Sequence, residues 1–100
     1  MRVIALSSLK VFWENNQKHQ DAREPCLAWY RHALVADWAS PAEVKADFGN
    51  ASILKDGRVV FNIAGNKYRL VVWVNYAYRV VYIRFIGTHR QYDAIDAQTI

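Results

Sequence analysis

Cysteine, proline and glycine are scarce in this 100-residue chain, at one, two and four residues respectively. The lone Cys26 excludes an internal disulfide framework and any all-cysteine zinc site. No apolar run approaches the ~20 residues that a membrane span needs. The opening Met1-Arg2-Val3-Ile4-Ala5-Leu6 holds too few apolar residues before polar ones for a secretory signal. Three histidines, His19, His32 and His89, are scattered along the chain. Their spacing suits neither a histidine–carboxylate nor a Cys/His metal set, so neither metal nor cofactor is expected. A phosphate-cradling glycine loop is also missing, because Ile63-Ala64-Gly65-Asn66 is too short and joins two predicted strands. With 53% apolar and 14% aromatic residues the chain is too hydrophobic for disorder. Residues 1–100 are therefore expected to form a single domain, placed in the cytoplasm and not in a membrane.

Acidic side chains are sparse in the second half only. Residues 1–50 balance six Lys/Arg against six Asp/Glu, whereas residues 51–100 set seven basic side chains against Asp56, Asp93 and Asp96. The whole formal charge of +4 falls after residue 50. Such asymmetry points to a polyanionic partner, most simply nucleic acid, with a solvated basic surface as the equal alternative on charge alone.

Periodicity divides the chain at the same place. Residues 7 to about 48 read as helices. Ser7 or Ser8 is placed to cap the first, which carries Leu9, Phe12 and Trp13 on one face. Asp21 and Glu24 have capping-box spacing before a second helix with a stripe of Leu27, Tyr30, Leu34 and Trp38. Ser40-Pro41-Ala42-Glu43 starts a third, with proline at the first helical position, and Gly49-Asn50 ends it. Trp13, Trp29, Tyr30, Trp38 and Phe48 read as core or helix-packing aromatics, and Cys26 as a packing residue.

From residue 51 the pattern is that of strands. Asp56-Gly57 makes a two-residue hairpin turn, a second turn falls at Ala64-Gly65 and a third at Ala77-Tyr78. Arg2–Ala5 can add a short strand to this antiparallel meander. The fold class is α+β, with N-terminal helices packed on one face of a C-terminal antiparallel sheet and a short C-terminal helix. Pairing Tyr76 with Arg79 and Ile63 with Asn66 puts Val59, Phe61, Tyr68, Leu70, Val72, Val74, Val81, Ile83 and Phe85 on the core face. The opposite, open face then receives Arg58, Val60, Asn62, Lys67, Arg69, Val71, Trp73, Tyr82, Arg84 and Ile86.

That open face can handle phosphate. Arginine binds it bidentately and stays protonated, which suits Arg69 and Arg84, while Arg58 and Lys67 add charge. Asn62 can orient a phosphate or a ribose hydroxyl, and Trp73 and Tyr82 offer stacking surfaces for unpaired bases. Thr88 and Gln91 have capping-box spacing, so a helix starts at His89 and puts His89, Tyr92 and Asp93 on one face. A helix start favours phosphate, and His89 and Tyr92 can transfer protons. RNA is cleaved without metal when its own 2′-hydroxyl attacks the adjacent phosphate, given charge neutralisation and proton transfer. A non-catalytic RNA- or DNA-binding module using the same basic face is the second reading. A domain docking an acidic protein is the third.

The runs Val60-Phe61-Asn62-Ile63, Gly65-Asn66-Lys67-Tyr68-Arg69-Leu70 and Tyr82-Ile83-Arg84-Phe85-Ile86-Gly87-Thr88-His89, followed by Tyr92-Asp93, carry a resemblance. Together with Leu9-x2-Phe12-Trp13, Trp29-Tyr30 and Trp38-x-Ser40-Pro41, they resemble the HigB-type toxins of bacterial type II toxin–antitoxin modules. The resemblance implies a RelE-like fold and an mRNA interferase that cuts messages on the translating ribosome. It also implies a HigA-type helix-turn-helix antitoxin as partner, with operator DNA contacted only through the toxin–antitoxin complex. On the same basis Asn62, Lys67, Arg69, Arg84, His89 and Tyr92 are the functional positions.

Overall fold

The computed structural model describes residues 1–100. Strand β1 (Arg2–Ile4) leads into α1 (Leu6–Glu14), a 3-10 helix (Gln17–Ala22), α2 (Arg23–Val35) and α3 (Pro41–Asp47). Strands β2 (Ser52–Ile53), β3 (Arg58–Ile63), β4 (Tyr68–Asn75) and β5 (Val80–Thr88) follow, and α4 (His89–Asp93) comes last. The sheet order is β1-β5-β4-β3-β2, antiparallel throughout except that β1 runs parallel to β5. The short first strand thus makes the expected meander a mixed five-stranded sheet. No helix is long and apolar enough to cross a membrane.

The helices cover one sheet face. Leu9, Trp13, Cys26, Trp29, Ala33, Trp38 and Val44 pack with Val59, Phe61, Tyr68, Leu70, Val72, Val74 and Val81 in one core. Phe61 is its aromatic centre, with the Phe48, Trp29 and Trp38 rings 5.1, 5.4 and 6.3 Å away. Truncating it to alanine should cost about 3–5 kcal/mol. Several helix details differ from the sequence expectation. Ala5, not Ser7 or Ser8, precedes α1 and makes no side-chain cap. Asp21 and Glu24 form no capping box, because the 3-10 helix runs straight into α2 and Asp21 bonds across to Tyr68 and Lys67 instead. The buried stripe of α2 is Cys26, Trp29 and Ala33, one position away from the expected one, which leaves Leu34 exposed. Trp38 is buried, but it lies beyond the end of α2. Its indole nitrogen donates to Asp47 (2.8 Å), as does His32 (3.1 Å), so this carboxylate ties α2 and α3 together.

The hairpins decide which residues share a face. Asp56 and Gly57 have φ of 55° and 80°, the two positive values that a two-residue turn matching strand twist requires. A Cβ on Gly57 would meet the Val74 carbonyl oxygen at 2.5 Å, so glycine is needed for space as well. The β3–β4 turn holds four residues, Ala64 to Lys67, and pairs Ile63 with Tyr68 rather than Asn66. A shift of two residues preserves side-chain parity, and β3 and β4 sort as expected. The β4–β5 register matches the expected one from Asn75↔Val80 to Val72↔Ile83 and then slips, so that Val71 faces Phe85. Arg84 is the extra residue of this β-bulge. Parity flips beyond it. Phe85 joins the second face with Val60 and Val71, and Ile86 packs on the main core, reversing the expected positions of both.

The second face is not bare. The segment after α4 folds back over it, packing Ala97, Ile95 and Ile100 against Val60, Val71 and Phe85. The Gln98 side chain accepts from the Lys55 main-chain N–H (2.9 Å) and donates to the Lys55 carbonyl (2.7 Å), which pins this tail.

Candidate nucleic-acid interface

Beyond the bulge, Asn62, Arg69 and Gly87 lie in one cross-strand row of the second face, at its β3–β4 turn end. Gly87 is where the row needs a missing side chain. A Cβ there would meet the Phe85 ring at 2.6 Å and Gln91 Oε1 at 2.8 Å. Gln91 Oε1 is already occupied, because it accepts the Thr88 N–H (2.9 Å) while Thr88 Oγ1 accepts the Gln91 N–H (3.2 Å). This is the expected capping box, and it starts α4 at His89 as anticipated. It also satisfies two of the backbone donors that a phosphate at this helix start would otherwise use.

His89 and Arg69 converge on one residue. The His89 Nε2–H donates to the main-chain oxygen of Asn66. Arg69 Nη1 donates to the Asn66 side-chain oxygen at 3.0 Å and to its carbonyl at 3.4 Å. A carbonyl can only accept, so this contact places a proton on Nε2 and leaves Nδ1 as the histidine nitrogen with a free lone pair when the ring is neutral. Tyr92 lies one turn on from His89 and is half-buried against the Val60, Val71 and Ala97 cluster. The sequence places Asn66 opposite Ile63 beside the Ala64-Gly65 turn and within the Gly65–Leu70 run of the resemblance, but not among the functional positions. Its place in a Gly-Asn turn between two strands carrying site candidates was the available signal.

A second group of candidates sits farther along the face. Trp73 and Tyr82 face each other across β4 and β5, their rings stacked with centroids 5.0 Å apart and planes 24° apart. The Arg84 guanidinium lies 5.8 Å from the Tyr82 ring centre and 5.9 Å from that of Trp73. Trp73 is four residues from Arg69, about 13 Å along an extended strand. The structure therefore gathers Arg69 with His89 and Arg84 with the ring pair, as two neighbouring patches.

The remaining candidates separate. Lys67 leaves the open face, contrary to expectation, because it lies in the four-residue turn and its ammonium pairs with Asp21 on the helix side. That contact raises the Lys67 pKa and, with the Tyr68 hydroxyl, holds Asp21 below the usual carboxylate range. Burial, followed by the Asp21 contact, pushes the Tyr68 phenol up. Arg58 stands opposite Trp73 and donates to the main-chain oxygen of Ile100 in the tail. Neither Arg58, Arg69 nor Arg84 pairs with a side-chain carboxylate, whereas Arg79 pairs with Asp37 at 2.7 Å on the hairpin end. Arg69 and Arg84 therefore keep their charge available for phosphates, while Arg58 is engaged by the tail. No three His, Cys, Asp or Glu side chains come together in a way that could hold a metal ion.

Comparison with known proteins is consistent across the chain. A family model described as HigB_toxin, the RelE-like toxic component of a toxin–antitoxin system, matches residues 22–95. The mRNA interferase toxin HigB of Escherichia coli (strain K12) is 37% identical over 99 residues, covering 97% of this chain and 92% of that protein. The mRNA interferase HigB proteins of Escherichia coli O157:H7 and Shigella flexneri match with the same identity and coverage.

Proposed function

The chain belongs to the HigB toxin family, RelE-like toxic components of toxin–antitoxin systems, and on that premise we propose that it is an endoribonuclease that cleaves mRNA by attack of the substrate's own 2′-hydroxyl. The observation that carries the site assignment is the convergence of Arg69 and His89 on Asn66, on a face where neither Arg69 nor Arg84 has a carboxylate partner. In this reading the 2′-oxygen bonds to phosphorus and the 5′-oxygen leaves. The products are a 2′,3′-cyclic phosphate and a 5′-hydroxyl. Arg69 neutralises charge that develops on the phosphoryl oxygens. His89 moves a proton through Nδ1, and Tyr92 is the second proton-transfer group. Asn62, opposite Arg69, contacts the phosphate or the ribose hydroxyl.

The second patch holds the message. Trp73 and Tyr82 stack an unpaired base, and Arg84 and Arg58 bind the flanking backbone. Lys67 contributes by fixing the turn and makes no phosphate contact. The mRNA is met on the ribosome, the antitoxin is a HigA-type protein with a helix-turn-helix, and operator DNA is contacted through that complex. The chain acts in the cytoplasm, where those partners are found.

The test is cleavage of a reporter mRNA in a translating bacterial extract by the parent, Arg69→Ala and His89→Ala. Each variant should lose on the order of 10²-fold or more in rate while keeping its melting temperature. Cleavage by both variants at the parental rate would remove the site assignment. Salt-dependent RNA binding by the parent with no cleavage would favour the non-catalytic module.

A further inference from the structure

We infer that Asn66 is a positioning residue of the nuclease site, holding Arg69 through its side-chain oxygen and His89 through its main-chain carbonyl; the inference rests on the proposed roles of those two residues. Arg69 has a long, flexible side chain and no carboxylate partner, so without another acceptor its guanidinium would sample many rotamers. Asn66 Oδ1 supplies that acceptor at 3.0 Å, with the carbonyl at 3.4 Å on the same nitrogen. The same carbonyl takes the His89 Nε2–H, so one residue sets the direction of the arginine fork, chiefly through its side chain, and the tautomer of the imidazole through its carbonyl.

The turn that carries Asn66 is itself held. Ala64 and Gly65 take positive φ, of 55° and 67°, and Lys67 donates back to the Ala64 carbonyl at 3.2 Å. On the far side, Lys67 and the neighbouring Tyr68 both donate to Asp21 of the 3-10 helix. Asn66 is thus bracketed between a tight turn and an anchor to the helical layer, which gives a solvent-exposed asparagine a fixed position. Proton transfer and phosphate stabilisation both depend on placement, and a displacement of about 1 Å costs on the order of 10²-fold in rate.

A double-variant cycle tests this with the reporter mRNA in the translating extract. Asn66→Ala should lower kcat on the order of 10- to 100-fold, with KM changed less than about 3-fold and the melting temperature retained. In an Arg69→Ala background the same substitution should cost less than about 3-fold, because the group it positions is gone. Full additivity of the two losses, or a rise in KM with kcat unchanged, would overturn the role of Asn66 while leaving the site in place. Equal activity of Arg69→Ala and the parent would instead overturn the site reading beneath it. A second measurement needs no RNA. Nitrogen NMR of the free protein at neutral pH should find neutral His89 protonated on Nε2, and a proton on Nδ1 alone would contradict the carbonyl contact.

Discussion

Arg84 lies with its guanidinium 5.9 Å from the centre of the Trp73 ring, on the same face as Arg69 but in a separate patch. Alternation along β5 already puts Arg84, two residues on from Tyr82, on the face of the Trp73–Tyr82 pair; the bulge at Arg84 flips every residue beyond it. Within this second patch the ring and the arginine should fail differently. Trp73→Ala removes stacking and should weaken RNA binding by about 1–3 kcal/mol with an unchanged salt slope. Arg84→Ala should flatten the slope of log K against log salt by about 0.7, the loss of one phosphate contact on a single strand. Titrations of single-stranded RNA at several salt concentrations separate the two.

Gly87→Ala should damage the site without touching a functional group. The added methyl meets the Phe85 ring and the Gln91 oxygen that caps α4, so one of them must move. Losing this cap costs about 1 kcal/mol, and His89, the first residue of the helix, loses its placement. The expected outcome is a small drop in melting temperature with a loss of cleavage on the order of 10-fold or more. Parental activity would show that the capping box does not position His89.

The anchor of the Asn66 turn titrates. The Asp21 pKa is lowered in the folded chain, by the Lys67 contact first and the Tyr68 hydroxyl second. A depressed carboxylate contributes its stability above the ordinary value of 3.8 and loses it as pH falls through the lower folded value. Asp47, held by Trp38 and then His32, acts in the same direction. Lys67 and Tyr68 are raised, so their contributions are complete below their ordinary values of 10.5 and 10.0 and drain as pH rises beyond them. Urea midpoints measured against pH should therefore fall at both extremes. Asp21→Asn should shrink both limbs, and an unchanged profile in that variant would contradict the anchor.

Cys26 is fully buried on α2, and burial pushes its thiol up to about 12. At pH 8 the folded protein should resist a thiol-labelling reagent and react only as fast as it unfolds. Rapid labelling of the native chain would show that α2 is not packed as described.

Much of this arrangement was legible in the residues, and the misses have physical causes. The Thr88–Gln91 capping box and the alternation of β3 and β4 are local signals, and each forms as read, whereas Asp56-Gly57 turns the chain but β2 pairs one residue out of a two-residue hairpin's register, Ile53 with Val59. The register of β5 was lost at Arg84 because a bulge is decided by cross-strand packing. The tail was missed for a related reason. Val60 and Val71 on a supposedly open face needed a cover, and Ile95, Ala97 and Ile100 supply it from beyond the last helix. Lys67 counted as a phosphate ligand by parity, but a four-residue turn freed it to reach Asp21, a partner distant in sequence.

The chemistry is decided by the ends left at the cut. Reporter mRNA cleaved by the parent in a translating extract should carry 5′-hydroxyl ends downstream of the break, directly labelled by a polynucleotide kinase without prior phosphatase. The upstream fragment should carry a 2′,3′-cyclic phosphate. His89→Ala and Arg69→Ala, at parental melting temperature, should not generate these ends. Fragments with 5′-phosphate and 3′-hydroxyl ends that appear with the parent and vanish with His89→Ala would mean that water, not the 2′-hydroxyl, attacks the phosphate, and would contradict the mechanism.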